Sequence, residues 1–220
     1  MFRCDDYSVP DIHAHPSWKK LLFYIKYRVR DSLEFYNGME QVPSFCLTVV
    51  QDAATLKNAT VETVRTEFKK WCEAAVEKEH GQGATIRRQS QRYNFVIRVS
   101  EDVLGCWAKV DDDCLSEEKE DDNRRKALRF SQTGNCFVDL IWKDWPPEIP
   151  ENIGRGVPNP WVGGIAPPIP EYEEIEGCKE EELGWMRVSI HSVVVSIYSV
   201  LRDPDAFFTL YRRPLEILRY

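Results

Sequence analysis

The feature that most restricts how this chain can fold is a proline-rich stretch at residues 145–170. It contains 8 of the 13 prolines, and neither a helix interior nor a central strand tolerates proline at that density. The same stretch carries Trp145, Trp161 and Ile165, large apolar side chains that a purely flexible linker does not need. We therefore expect an extended proline-rich arm packed across the domain or onto a second chain, with these three residues as contact candidates.

The rest of the chain has the composition of a folded domain, with 43% hydrophobic and 30% charged residues in a total of 220. This length predicts one domain over residues 1–220, with the arm as an internal excursion. No apolar run approaches the roughly 20 residues of a transmembrane helix, and the first residues lack the apolar segment of a signal peptide. We expect a cytoplasmic or nuclear protein that is not secreted.

Cysteine usage points the same way. The seven cysteines stand at positions 4, 46, 72, 106, 114, 136 and 178. None is spaced as C-x-x-C, so the pattern predicts neither a disulfide framework nor a zinc knuckle, but free thiols in a reducing compartment. No base in the sequence marks any of them as a nucleophile.

The net charge of −7 is unevenly distributed. Residues 111–122 and 171–182 together hold 15 acids and 2 bases, which leaves the rest of the chain with 21 acids and 27 bases, a net charge of +6. The first run predicts an acidic surface loop. Such runs either keep a protein soluble or meet a basic face, on the same chain or on a partner.

One predicted helix is basic and amphipathic. Apolar residues recur at helical spacing over 18–36, with Ser17 as a cap and Asn37-Gly38 as the end. Lys19, Lys26 and Arg30 fall on the opposite face. This face is either the solvated back of a core helix or a docking surface for an acidic partner or a membrane headgroup layer.

The remaining periodicities predict a mixed fold. Further helices are expected at 61–79, between a Thr60 cap and Gly81, and at 185–202. Strands are expected at 45–50, 84–92, 93–99, 128–131 and 135–142, while 103–110 fits either type. The predicted class is α+β, a small and mainly antiparallel sheet packed by about three helices.

A metal-dependent hydrolase is one alternative function. The string Asp11-Ile12-His13-Ala14-His15 contains an H-x-H pair, which on an extended strand places both imidazoles on one side for one metal. It resembles the first-strand motif of the amidohydrolase-type metal-dependent hydrolases. The resemblance covers about six residues and implies a metal site using His13 and His15.

Single-stranded RNA binding is a second alternative. The predicted order strand, helix, hairpin resembles the start of a ferredoxin-like sandwich, as in RNA-recognition folds. Arginines and aromatic residues at 87–98 could hold phosphates and stack bases there. The RNA-recognition signature itself is absent.

The leading prediction is a non-catalytic interaction or assembly module, because nucleotide-binding and triad motifs are missing. We expect no cofactor. Partners would be another protein or a second copy, contacted through the arm and the basic helix, and peripheral membrane contact stays open.

Overall fold

The computed structural model describes residues 2–4, 15–45, 47–85, 90–112, 122–146, 172–203 and 206–219. In chain order the elements are β1 (Phe2–Cys4), α1 (Pro16–Phe35), a 3-10 helix (Met39–Ser44), β2 (Val49–Val50), α2 (Ala53–Leu56), α3 (Val61–His80), α4 (Gln91–Asn94), β3 (Phe95–Val99), α5 (Glu101–Ala108), α6 (Asp122–Thr133), β4 (Phe137–Trp142), β5 (Trp185–Ser189), α7 (Ile190–Ser192), a π-helical stretch (Val193–Ile197), α8 (Tyr198–Val200), α9 (Ala206–Leu210) and β6 (Ile217–Leu218). No helix among these residues is long and apolar enough to cross a membrane.

The strands form one sheet in the order β2-β1-β3-β4-β5-β6. Its longest pairings, β3 with β4 and β4 with β5, are antiparallel. Shorter parallel pairings join β1 to β2 and β3, and β5 to β6. The predicted α+β class is confirmed, and the parallel strands at both edges are an addition that the predicted hairpins did not include.

Helices α1 and α3 confirm the two clearest periodicities. In α1 the buried residues Trp18, Leu21 and Ile25 share one face, and the cap is His15 with Pro16 in the first turn rather than Ser17. In α3 the Thr60 hydroxyl accepts a hydrogen bond from the Thr63 N–H, as an N-cap should. Each helix buries one stripe and leaves the other side in solvent, which is the condition under which a 3.6-residue period is readable.

Two predicted elements are wrong in type. The helix expected from residue 185 begins only at Ile190, because Trp185–Ser189 is strand β5. Trp185, Met186 and Val188 are all buried, so β5 is covered on both faces, with Arg187 and Ser189 alternating with Met186 and Val188. The strand expected at 128–131 lies inside α6, where Arg129 and Thr133, four residues apart, are the buried positions.

Two other predicted strands largely fail. Of the strand expected at 45–50, only Val49 and Val50 pair in the sheet among the described residues, and residue 46 lies outside them. Of the strand expected at 84–92, residues 86–89 lie outside the described part, and α4 occupies the end as a single helical turn. Residues 101–108, in the stretch that fitted either type, are helix α5.

Two apolar cores lie on the two faces of the sheet. The larger one joins α1, α5 and the C-terminal helices through Trp18, Trp107 and Phe207. The smaller one joins α3 to Val96 of β3 and Ile141 of β4. Alternation along the strands places Arg98, Asp139 and Arg187 on the same face as this smaller core, beyond the part that α3 covers.

Candidate functional site

The predicted basic stripe of α1 is exposed. Lys19, Lys26 and Arg30 are all solvent-exposed, and none of them pairs with an acid in the described residues. Spacings of seven and four residues bring the three side chains onto one line along the helix, about 16 Å long at 1.5 Å per residue. By contrast, Lys20 pairs with Asp112 at 2.9 Å.

The end of the same helix is unusually apolar. Phe35 and Tyr36 are 78% and 71% exposed, and their rings pack edge to face with centroids 5.0 Å apart. The following 3-10 helix and its end add exposed Met39 and Phe45. Contiguous exposed apolar side chains with polar neighbours are typical of interaction surfaces.

Of the three contact residues predicted in the proline-rich arm, the structure describes one, Trp145. Trp145 is half-buried, and its ring packs against Trp142 and Phe208, with centroids 6.0 and 6.2 Å away. It therefore contacts its own domain at the start of the arm. Trp161 and Ile165 lie outside the described residues.

The residues predicted for metal binding are not brought together in the described part. His13 lies outside it, and His15 is the N-cap of α1, directly before a helix. Among the described residues no group of three or more histidine, cysteine, aspartate or glutamate side chains could hold a metal ion.

The arginines predicted for RNA binding are largely committed elsewhere. Arg92 pairs with Glu79 at 2.7 Å. Arg98 has a side chain that is 8% exposed and binds Asp139 and Glu176 at 3.1 and 2.9 Å. Arg87 and Arg88 lie outside the described residues. The two described arginines of the predicted RNA-binding region, Arg92 and Arg98, are both paired with acids.

A row of buried charge crosses the centre of the sheet. Pairing in register brings Arg98, Asp139 and Arg187 side by side on β3, β4 and β5. Oδ2 of Asp139 contacts Arg98, and Oδ1 lies 3.7 Å from Nε of Arg187. Burial raises the pKa of Asp139, against the opposing effect of the two guanidinium groups.

A cleft of about 670 Å³ opens at the end of this row. Cys106 of helix α5 and the C-cap residue Lys109 supply one wall, and Cys136 and Phe137 at the start of β4 supply another. Arg187 lies at its inner end, where its guanidinium stacks over the Phe137 ring at 4.5 Å. The volume falls within the range of small-molecule sites.

Two thiols meet in this cleft. Neither is in a disulfide bond; Cys106 is half-buried and Cys136 is 2% exposed. The pKa of Cys106 is lowered, chiefly by a hydrogen bond from the Cys136 thiol; burial opposes the shift, and the Phe137 N–H and the Lys109 charge reinforce it. These contacts favour the thiolate, the reactive form of cysteine.

The sequence patterns did not reveal this pair. Cys106 and Cys136 stand 30 residues apart and match no local motif. Only the packing of α5 beside β4 brings them together. The available signal was the position of both residues beside apolar segments, which equally describes an inert buried cysteine.

His191 of helix α7 is half-buried and lies against α1 and α6. His191 Nδ1 lies 2.7 Å from the Tyr24 hydroxyl, and Nε2 lies 3.3 Å from Oγ1 of Thr133. The Thr133 hydroxyl already donates to the Arg129 carbonyl, so Nε2 carries the proton and Nδ1 accepts from Tyr24. Burial lowers the pKa of His191, and the Arg28 charge adds to this effect.

We expect the free energy of unfolding to decrease as the pH is lowered, because His191 becomes protonated. A histidine with a lowered pKa in the folded state contributes stability that is complete above its ordinary pKa of 6.5 and is lost as the pH falls below it. The His191 side chain is only half-buried, so water screens its charge in part. The loss of unfolding free energy between about pH 7 and 5 should therefore stay below about 1 kcal/mol. Urea unfolding across that range should show a shallower decline for His191→Gln; equal slopes would refute the assignment.

No family model, no curated protein and no solved structure matches this chain. Function must therefore be inferred from the exposed surface of α1 and from the cleft themselves.

Proposed function

We propose that this protein is a non-catalytic interaction module whose α1 stripe, formed by Lys19, Lys26 and Arg30, binds an acidic segment of a partner protein. The observation that carries the proposal is the exposure of these three cations on one line without an acid from the described residues. A reducing compartment, the cytoplasm or nucleus, suits its free cysteines.

The like charges of the stripe destabilise the helix, which a face that only contacts water does not require. Lys26 and Arg30 are like charges four residues apart on one helix, which destabilises a helix by about 0.2–0.5 kcal/mol. An anion lying along the helix removes that repulsion and gains attraction. The chain as a whole carries −7, so the attraction is local to the stripe and acts within about 8 Å at physiological salt.

The apolar end of the helix lies apart from the stripe. Phe35 follows Arg30 by five residues, which at about 100° per residue places it on the other side of the helix. The proposed acidic segment is therefore held by the three cations, without Phe35. Trp161 and Ile165 of the arm remain further contact candidates.

A labelled helical peptide tests the proposal. An amphipathic Glu/Leu peptide of about eleven residues spans the 16 Å of the stripe, and a Lys/Leu peptide of equal length is its control. Fluorescence anisotropy should detect the acidic peptide and not the basic one. Affinity should fall as salt is raised, because exposed charges are screened.

Charge reversal at the stripe should remove this binding. In the triple variant Lys19→Glu/Lys26→Glu/Arg30→Glu, lost attraction and new repulsion should weaken binding by about 2 kcal/mol, roughly thirtyfold. The matched control reverses Lys57, Lys69 and Lys179, which are also exposed, and changes net charge equally. Equal weakening by both triples would mean that only net charge matters.

Three other ligands are tested in the same experiment as alternatives to the acidic peptide. Anionic vesicles, a single-stranded RNA oligonucleotide and a second copy of the chain, followed by sedimentation, each replace the peptide. Tighter stripe-dependent binding to any of them would overturn the acidic-protein proposal in favour of that ligand.

A further inference from the structure

From the cysteine-lined cleft we infer a second activity: thiol–disulfide exchange with small peptide disulfides, in which Cys106 attacks and Cys136 resolves. It does not depend on the proposed binding function of α1. The two thiols line one cleft, they differ in access to solvent, and ionisable groups of both signs surround them.

The difference in burial assigns the order of the two cysteines. Cys106 is half-buried at the cleft wall, so an incoming disulfide can reach its sulfur. Cys136 is 2% exposed, and its backbone is held by hydrogen bonds to Thr133 and from Ile190. The accessible thiol therefore reacts first, and the enclosed thiol can reach only its neighbour.

The surroundings of Cys106 favour its role as attacking group. Its thiol donates to the Val103 carbonyl at 2.9 Å when protonated. When it is ionised, the Cys136 thiol and the Phe137 N–H donate to the sulfur, and Lys109 supplies a positive charge nearby. A thiolate with donors around it forms at lower pH than an isolated cysteine and attacks disulfides more often near neutrality.

The two steps balance. The Cys106 thiolate attacks one sulfur of the substrate disulfide, that S–S bond breaks, and the departing thiolate takes up a proton. Cys136 then loses its proton and attacks Cys106 of the mixed disulfide, which releases the second substrate thiol. The substrate disulfide is reduced to two thiols, and the two cysteines are oxidised to one internal disulfide.

The charges of the cleft select the substrate class. Glu101 and Lys109 line it, an acid and a base that form no ion pair among the described residues, whereas Asp102 and Arg187, which also line it, pair with each other at 2.7 Å. Amino-acid and short peptide disulfides carry both carboxylate and ammonium groups, so they match Glu101 and Lys109 better than an uncharged disulfide does. A volume of about 670 Å³ accommodates such a molecule.

Oxidised glutathione is the probe for the test, with uncharged 2-hydroxyethyl disulfide as the comparison. Intact mass and peptide mapping of the full chain should find a Cys106–Cys136 disulfide and no retained glutathione. In Cys136→Ser, whose hydroxyl can still donate to the Cys106 sulfur but cannot resolve the mixed disulfide, one glutathionyl group should stay on Cys106, and it should form at least about tenfold faster than at half-buried Cys178. Cys106→Ala should abolish the internal disulfide, whereas the matched control Cys178→Ala should leave it unchanged.

Several results would overturn the inference. One is retained glutathione on Cys106 in the wild type, because Cys136 would then not resolve it. Another is first modification of a different cysteine, or a rate with 2-hydroxyethyl disulfide equal to that with oxidised glutathione. The wild-type measurement needs no variant, so poor folding of a cysteine variant cannot rescue the inference.

Discussion

Replacing Asp139 with asparagine is expected to lower the free energy of unfolding by about 3 kcal/mol at pH 7. The substitution keeps the shape of the side chain and removes its charge. Arg98, 8% exposed, would lose its buried carboxylate partner and keep only Glu176, and Arg187 would lose the charge beside its Nε. A buried cation that loses a counterion costs far more than an exposed one, because water cannot replace the lost partner.

A matched control distinguishes burial from charge alone. Asp102 also binds Arg187, at 2.7 Å, but its side chain is 70% exposed. Asp102→Asn removes the same charge from the same arginine and should cost less than about 1 kcal/mol. Urea denaturation of both variants at pH 7 makes the comparison. A small loss for Asp139→Asn would mean that its carboxyl group is already neutral in the fold.

Replacing both Arg98 and Asp139 with apolar residues tests the same ion pair in a second way. A double variant, Arg98→Met with Asp139→Leu, removes both charges and fills the space with apolar atoms. It should recover most of the stability that Asp139→Asn loses, because both buried charges of the pair are removed together, Arg187 keeps Asp102, and the partly exposed Glu176 keeps its hydrogen bond from the Val61 N–H. Non-additive unfolding energies around this cycle would measure the coupling between Arg98 and Asp139.

The elements that sequence reasoning predicted well share one physical property. Helices α1 and α3 bury one stripe and expose the other, so their apolar spacing shows a helical period. Strand β5 was predicted as helix because Met186 stands four residues before Ile190, and this helical spacing continues through Val193 and Ile197. The spacing crosses the boundary between β5 and α7, so a helical period that belongs to the residues from Ile190 onward was extended back into a strand.

The candidate sites also differ in whether local sequence spacing could predict them. The α1 stripe was predictable, because Lys19, Lys26 and Arg30 obtain their common face from local helical spacing alone. The cleft depends on which strands pair, and nothing near Cys106 in the sequence indicates Cys136. The row of Arg98, Asp139 and Arg187 likewise depends on the register of three strands, which is set by the packing of the whole sheet.

Gly184→Ala is expected to destabilise the protein by about 3 kcal/mol, through two separable effects. Gly184 has φ +68°, where a side chain costs about 1–2 kcal/mol. A Cβ there would also lie 2.0 Å from Cγ and 2.4 Å from Cβ of Trp145. These atoms are close to the Trp145 backbone, so the whole residue must shift and loosen its packing on Trp142 and Phe208.

Gly177 is the matched control for the backbone effect. Its φ is +83°, and a Cβ there would meet nothing within 4 Å. Gly177→Ala should therefore cost only the about 1–2 kcal/mol of the left-handed conformation. Equal losses at the two glycines would show that Trp145 does not rest on Gly184.

The double variant Gly184→Ala/Trp145→Gly separates the two effects at one position. In the Trp145→Gly background the clashing Cβ and ring atoms are gone, so adding Gly184→Ala should cost as little as Gly177→Ala does in the wild type. Trp145 is the first residue of the proline-rich arm. If the clash accounts for the remaining loss, Gly184 is the position that lets Trp145 pack against the domain and thereby fixes where the arm begins.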